Sequence, residues 1–307
     1  MSSTLELKKS KIQNMTRLKK FKFSSIIVGL ILISYSVFSV VPMIWLIIAP
    51  SKNAEQLVNF APMAFGSWDG YINAWNNLMT FEEGVLVTWI GNSLWYNALI
   101  VLISSLTALL GGYALASTDV PFKRSLLITT LIAMIIPSVA LVLPLFIEVG
   151  AAGMFDTPWA VILPSSFYPF GVFLAYIHFS TSIPKDVYEA AKIDGAGEFT
   201  TFTKIAFPLS KGLLGMLAFF AFSAAWTNYF LPYVLLSSSS NYTLPVGLGL
   251  LFSSTPSLNP LNGAQSSVIG RPEIALAGLM VAIPILIVFL ASSRLLVRGI
   301  LAGAVKS

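Results

Sequence analysis

The chain has no cysteine, so disulfides, thiolate nucleophiles and sulfur-ligated metals are excluded at the outset. It has a single histidine, His178, and no H-E-x-x-H pair, which removes a zinc-hydrolase site and leaves a Ser-His-Asp set without a partnered imidazole. It has no G-x-x-x-x-G-K-[ST] stretch, so it carries no phosphate-cradling loop of that kind and cannot hydrolyse ATP by that route. Above all it has little charge: 10% of its 307 residues are Asp, Glu, Lys or Arg, against about 25% in a typical soluble domain.

What it has in place of charge is apolar length. Hydrophobic residues make up 56% of the chain, and mean hydropathy is +0.82. A crossing of a core ~30 Å thick takes about 20 apolar residues, and six segments qualify: 23–48, 89–116, 125–148, 159–182, 212–236 and 273–296. One polytopic all-α membrane protein is expected, with a basic tail at 1–22, a transmembrane domain over 23–298 and a short tail at 299–307. The third and fourth segments contain Pro137, Pro144, Pro164 and Pro169, tolerated where neighbouring helices re-satisfy the freed carbonyls. Gly111, Gly112, Ala114 and Ala116 in the second are read as close-packing positions. The basic N-terminal region and its long apolar run are expected to form an uncleaved first span.

Between these segments, sixteen of the eighteen Lys and Arg fall on one side, leaving only Lys52 and Arg271 on the other. That bias predicts that both termini are cytoplasmic. It also accounts for the net charge of +5 without invoking nucleic acid. Glu148 and Glu273 fall at span ends and read as interfacial, and His178 reads as a neutral histidine bonded within the bundle.

The most informative stretch is a polar island, 184–211, on the basic side. Ser182 or Thr181 is expected to cap its first helix, Asp194-Gly195 to end it, and Phe199, Phe202, Ile205 and Ala206 to form an apolar stripe on a second helix closed by Pro208. Such an elbow, outside the bilayer and between two spans, suits the docking of a soluble partner, with Glu189 beside small Ala190 and Ala191.

This island resembles the EAA loop of the inner-membrane permeases of binding-protein-dependent ABC importers, E-A-A-x-x-D-G-A followed by an apolar run ending in Pro. Glu189, Ala190, Ala191, Asp194, Gly195, Ala196 and Pro208 match it. Stretches of the third and fourth spans resemble those of the same family, Asn241–Ser253 resembles the outer segment of its sugar-importing branch, and the closing GILAGAVKS resembles the end of the maltose-type second permease, so that the likeness covers most of 89–307.

The resemblance implies a type I ABC importer permease fold in a prokaryotic cell membrane. It implies a cytoplasmic ATPase dimer carrying ATP and magnesium, a second homologous permease making a heterodimer, and an extracytoplasmic solute-binding protein. No cofactor is expected on this chain. By the same resemblance Glu189–Ala196 is the ATPase-coupling element, Ala302, Gly303, Val305 and Lys306 make a second ATPase contact, and 251–272 touches the binding protein. Residues suited to stacking on and hydrogen-bonding a sugar are Tyr168 and Phe173 in the fourth span and Trp226, Asn228 and Tyr229 in the fifth. The competing reading is a standalone channel or secondary carrier in which the island is a structural elbow. The scarcity of carboxylates inside the spans weighs against ion coupling.

Overall fold

The computed structural model describes the backbone of residues 2–255 and 269–304, with side chains from residue 24 to 293 and at 295 within those ranges. No strand occurs among the described residues. The helices are α1 (Ser2–Ile48), α2 (Ala54–Asn59), α3 (Trp68–Met79), α4 (Val85–Ser117), α5 (Lys123–Ile135), α6 (Val142–Ala151), α7 (Pro158–Ser165), α8 (Pro169–Ser182), α9 (Lys185–Ile193), α10 (Glu198–Thr201), α11 (Phe207–Leu209), α12 (Lys211–Trp226), α13 (Phe230–Leu235), α14 (Leu244–Ser254) and α15 (Arg271–Ala304). Four described helical stretches are long and apolar enough to cross a membrane, or up to six when each bent pair is taken as one.

Prolines and their neighbours set the breaks. The third segment is not one rod: α5 and the stretch 138–151 meet at 101°, with Pro137 capping a 3-10 turn over Ser138–Leu141. Pro144 lies in the first turn of α6, where its missing N–H costs nothing. Pro164 sits in the last turn of α7, and Pro169 opens α8. The fifth segment also divides, at 227–229, into α12 and α13. α1 runs from Ser2 to Ile48, so the basic stretch ahead of the first apolar segment is helical and continuous with it. Its apolar residues from 24 to 48 are largely exposed within the chain, so they face lipid or another subunit.

The centre of the bundle is the crossing of α4 and α8. Gly112 makes it possible. A Cβ there would collide with the Ala175 side chain and lie 2.7 Å from the Tyr176 backbone nitrogen. Gly111 next to it has ordinary room, 3.5 Å from Val172. Ala108, Leu109, Tyr113, Phe179 and Leu217 fill the core around this contact.

Two charged groups expected at the surface are buried. Glu273 is 6% exposed. It accepts hydrogen bonds from Asn77 (2.8 Å) and from the Gly270 backbone N–H (2.8 Å), closing the N-terminus of α15 and tying it to α3. Lys52 is 1% exposed, its ammonium donating to the carbonyls of Ala61 and Pro62, both at 3.0 Å. It staples the loop after α2 to the end of α1. His178 departs from expectation too. Its Nε2 is buried without a partner and its ring lies edge-on to Phe179.

Candidate functional site

At the end of the bundle where α4 stops and α8 gives way to α9, the chain folds into a compact elbow. The first helix begins at Lys185 behind Pro184, and no side chain caps it. Ser182 and Thr181 instead complete α8, because Ile183 is extended and separates the two helices. The end of α9 follows the sequence expectation. Gly195 adopts φ +77°, Ala196 N–H donates to the Ala191 carbonyl (2.9 Å) and Gly195 N–H to the Lys192 carbonyl (3.0 Å), a Schellman closure that needs glycine at the turn.

Helical spacing then sorts the side chains. Tyr188 and Ala191 are buried against the bundle (8% and 4% exposed). Ala190 and Ile193 point away, Ile193 being 86% exposed. Lys185, Tyr188, Glu189 and Lys192, at spacings of three, one and three, line a polar cavity. The expected alanine face is therefore divided, because adjacent helical residues lie ~100° apart. Glu189, Asp194 and Gly195 are exposed, and Ala196 is half-buried.

The second half of the elbow is not a regular amphipathic helix. A π-helical turn over Phe202–Ala206 separates α10 from α11 and shifts the register. Ala206 and Thr201 are buried and Phe202 half-buried, while Phe199 is left 76% exposed. Pro208 lies within α11, and the chain turns at Ser210. Three large apolar side chains, Ile193, Phe199 and, at its far end, Leu209, thus stand in solvent on an otherwise polar segment. Ile193 falls inside the Glu189–Ala196 stretch that the sequence marks for coupling, but its outward direction is a finding of the structure.

The elbow is joined to the bundle through an aromatic cluster. Tyr113, near the end of α4, packs against Phe179 (5.7 Å between ring centroids), Tyr188 (6.1 Å) and Phe202 (5.1 Å). Its hydroxyl donates to a carboxylate oxygen of Glu198 (3.1 Å), which also pairs with Lys192 at 3.6 Å. Burial, with Tyr113 beside it, pushes the Tyr188 phenol up to about 12, so that it stays a neutral donor at physiological pH. One rigid contact therefore links both halves of the elbow to α4 and α8.

Deeper in the bundle, the three helix breaks at 136–141, 166–168 and 227–229 converge on a cavity of about 480 Å³. Ser138, Leu145, Ser165, Phe167, Asn228 and Phe230 are among its walls. Interrupted helices are tolerated at membrane depth where they line a cavity. The Ser165 hydroxyl is buried without a partner, and Asn228 Oδ1 accepts only a long bond from Leu231 N–H (3.4 Å).

Of the five residues expected to contact solute, only Asn228 lines this cavity. Trp226 is a core residue, 1% exposed, stacked on Phe222 and donating to the Val281 carbonyl (2.9 Å). Tyr168 lies over Gly171, its hydroxyl buried and unbonded, and Phe173 is half-buried. Tyr229 stacks on Tyr233 with centroids 5.3 Å apart, outside the cavity wall. Ser138, Ser165 and Phe167 were missed, though the prolines that open the helices beside them were visible in the sequence.

The opposite end of the bundle is held by Asp156, in the left-handed region at φ +55°. Its carboxylate accepts from the backbone N–H groups of Ser237 (3.0 Å) and Ser238 (2.9 Å), the Ser238 hydroxyl and Asn241. Tyr96 then donates to the Asn241 carbonyl (3.0 Å), and Trp89 to that of Ser239 (2.8 Å). Burial alone would raise the Asp156 pKa. The donors from Ser238, Ser237 and Asn241 outweigh it and hold the carboxyl well below the usual carboxylate range. A depressed pKa contributes stability that is present above the unfolded value and fades as pH falls through the folded one, so this clasp is fully formed at neutral pH. Asp156→Ala is expected to cost about 2 kcal/mol, from donors left unpaired. Asp156→Asn, which tolerates the same backbone and still accepts two N–H bonds, recovers most of it. Thermal unfolding of the two purified variants checks the order.

The residues 108–302 match the family described as the inner membrane component of binding-protein-dependent transport systems, and the chain belongs to that family. It is a multi-pass membrane permease, a transport subunit rather than an enzyme. Among its curated relatives are the arabinooligosaccharides transport system permease of Halalkalibacterium halodurans and the trehalose transport system permease of Mycobacterium tuberculosis. The first is 35% identical, covering 73% of this chain and 76% of the relative. The second is 32% identical, covering 70% and 75%. The fold is shared with a solved bacterial ABC transporter involved in the import of the acidic polysaccharide alginate, at TM-score 0.75 and 19% identity, over 89% of this chain and 96% of that one.

Proposed function

We propose that this chain forms half of the translocation pathway of an ATP-driven carbohydrate importer, paired with a second, different permease. Its termini and elbow face the cytoplasm, and ATP and magnesium are held by a separate ATPase dimer. The carbohydrate class is supported by what the relatives are named for, and the orientation by sixteen of eighteen basic residues falling on the elbow side.

The observation that carries the coupling role is the elbow itself. Ile193 and Phe199 stand exposed beside Ala190, Asp194 and Gly195 on a unit locked to α4 and α8 by Tyr113. Exposed apolar anchors on a rigid polar unit suit a cleft in a soluble partner. Closure of the ATPase dimer moves the elbow as a body, and the aromatic cluster passes that motion to the helices around the broken-helix cavity. Asn228, Ser138 and Ser165 offer polar groups to a sugar crossing that cavity.

Of the remaining expected contacts, Ala302 and Gly303 lie in α15, where only the backbone is described, and Val305, Lys306 and residues 256–268 lie outside the described residues. They stand as proposed contacts with the ATPase and the binding protein.

Reconstitution tests the whole reading. Uptake of an oligosaccharide into vesicles is expected to need the ATPase, the second permease, the binding protein and ATP, whereas uptake by this chain alone on an ion gradient would contradict it. Within the working complex, Asn228→Leu is expected to raise the KM for uptake about tenfold, the loss of one or two hydrogen bonds to solute. An unchanged KM removes the cavity from the path.

A further inference from the structure

The helix α3 carries two apolar faces, and the bundle covers only one of them. The covered face is Ala74 and Leu78 with half-buried Tyr71, at spacings of three and four. A second stripe, Trp68, Ile72 and Trp75, recurs at four and three and stands exposed, Trp68 by 75%. At ~100° per residue this stripe lies ~90° around the helix from the covered face, and Asp69, Asn73 and Asn76 lie ~100° beyond the stripe. The polar arc is thus opposite the bundle, and the stripe points sideways. Both ends of α3 are pinned. Near its start the Tyr71 hydroxyl donates to the Ile47 carbonyl, and Gly66 and Gly70 allow close approach to the turn that closes α1, where a Cβ on either would collide with the Ser51 backbone. Near its end Asn77 donates to Glu273 in the first turn of α15 (2.8 Å).

Those pins fix the height of α3 in the membrane. From Lys22 to Ile47 the helix α1 rises ~37 Å, enough to cross a hydrocarbon core of ~30 Å and reach the headgroups beyond. α3 therefore lies across the ends of two spans, α1 and α15. It lies at the boundary away from the elbow, because α4 starts just after it at Val85 and carries Tyr113 near its far end. We infer that α3 is an in-plane membrane anchor: Trp68, Ile72 and Trp75 sit among the lipid headgroups of that leaflet and hold the ends of α1 and α15 at a set depth. Trp and Tyr rings favour this zone, and Phe65 (5.1 Å between ring centroids) and Tyr71 (5.9 Å) extend the Trp68 surface. A solute-binding protein arriving from water meets the polar arc first. Contacts between membrane helices favour small residues, as at Gly112, and the stripe has none. α3 bears one charge, Asp69, and no cation, so rings and alkyl groups make the contact and no anionic lipid is required. The inference needs only that α1 and α15 cross the membrane, and is independent of the solute and of the coupling role of the elbow.

Because the chain has no cysteine, single spin labels test this in the assembled transporter in phosphatidylcholine nanodiscs, with any cysteines of the other subunits replaced. Labels at Trp68→Cys, Ile72→Cys and Trp75→Cys report on the stripe, and labels at Asp69→Cys and Asn73→Cys on the polar arc. All these positions are exposed, and three stripe positions keep the result from hanging on one variant that fails to fold. Collisions with oxygen, which concentrates in the bilayer, and with a water-soluble nickel chelate report the depth of each label. The stripe labels are expected to shift toward oxygen relative to those on the polar arc, within a single turn of helix. Equal, nickel-dominated collisions at all positions would put the stripe in water and overturn the anchor. Stripe labels reached by neither probe would mean that protein covers the stripe, which overturns it equally. Shielding that persists without the binding protein would then assign the stripe to the second permease, and shielding lost with it to the binding protein.

Discussion

Ile193→Asp is expected to reduce ATP-driven uptake on the order of a hundredfold while leaving the permease folded and inserted. The size follows from the position. Ile193 is 86% exposed in the isolated chain, so a substitution there removes almost no packing from the permease itself. Surface changes of this kind shift stability by about 0.5 kcal/mol or less. In a complex the same side chain would be an apolar anchor seated in a cleft, and a carboxylate carried into that cleft unpaired costs about 2–4 kcal/mol. Uptake and ATP hydrolysis measured on complexes assembled with the variant, with its membrane level as control, separate loss of docking from loss of folding. Wild-type uptake would place the ATPase elsewhere. Glu189→Lys, at the rim between the outward face and the polar cavity, and Gly195→Pro, at the φ +77° turn, are expected to uncouple in the same direction.

The second large effect belongs to the bundle. Gly112→Val is expected to lower the stability of the permease by about 3 kcal/mol or to prevent its accumulation in the membrane. The added Cβ meets Ala175 and the backbone of Tyr176, the latter at 2.7 Å, and backbone cannot move aside as a flexible side-chain tip can. Overpacking at such a contact costs about 1–3 kcal/mol, at times more. Separating α4 from α8 also loosens the aromatic cluster built on the next residue, Tyr113. Gly111→Ala is the matched control, since its Cβ would sit 3.5 Å from Val172, in ordinary contact, and it is expected to be near neutral. Thermal unfolding in detergent, or protease resistance in membranes, reads the difference.

The apolar segments, the elbow and the glycine that ends α9 were legible because each rests on local chemistry: run length, a charge island, a left-handed turn. The site geometry was less so. Helical spacing could have told Ala190 from Ala191, but it does not say which face meets the bundle until α4 and α8 are placed. The π-turn at Phe202–Ala206 has no sequence signature of its own, and it is what frees Phe199 from the expected apolar stripe. Trp226 read as a solute contact because aromatic residues suit sugars, yet the same ring fills a core position against Phe222. The cavity walls come from three breaks far apart in sequence, so Ser138, Ser165 and Asn228 could be joined only by tertiary structure. Glu273 looked interfacial because its partner, Asn77, lies 196 residues away.

The most direct test uses the absence of cysteine. Ile193→Cys gives the natural chain a single thiol, to which a photoactivatable crosslinker can be attached in the assembled transporter. The expected result is a crosslink to the ATPase subunit, lost when the ATPase is stripped from the membrane, with the thiol unreactive to impermeant reagents added outside the cell. Labelling of that thiol from outside, or crosslinks only to lipid or to the other permease, would contradict the proposal that a soluble motor grips this elbow.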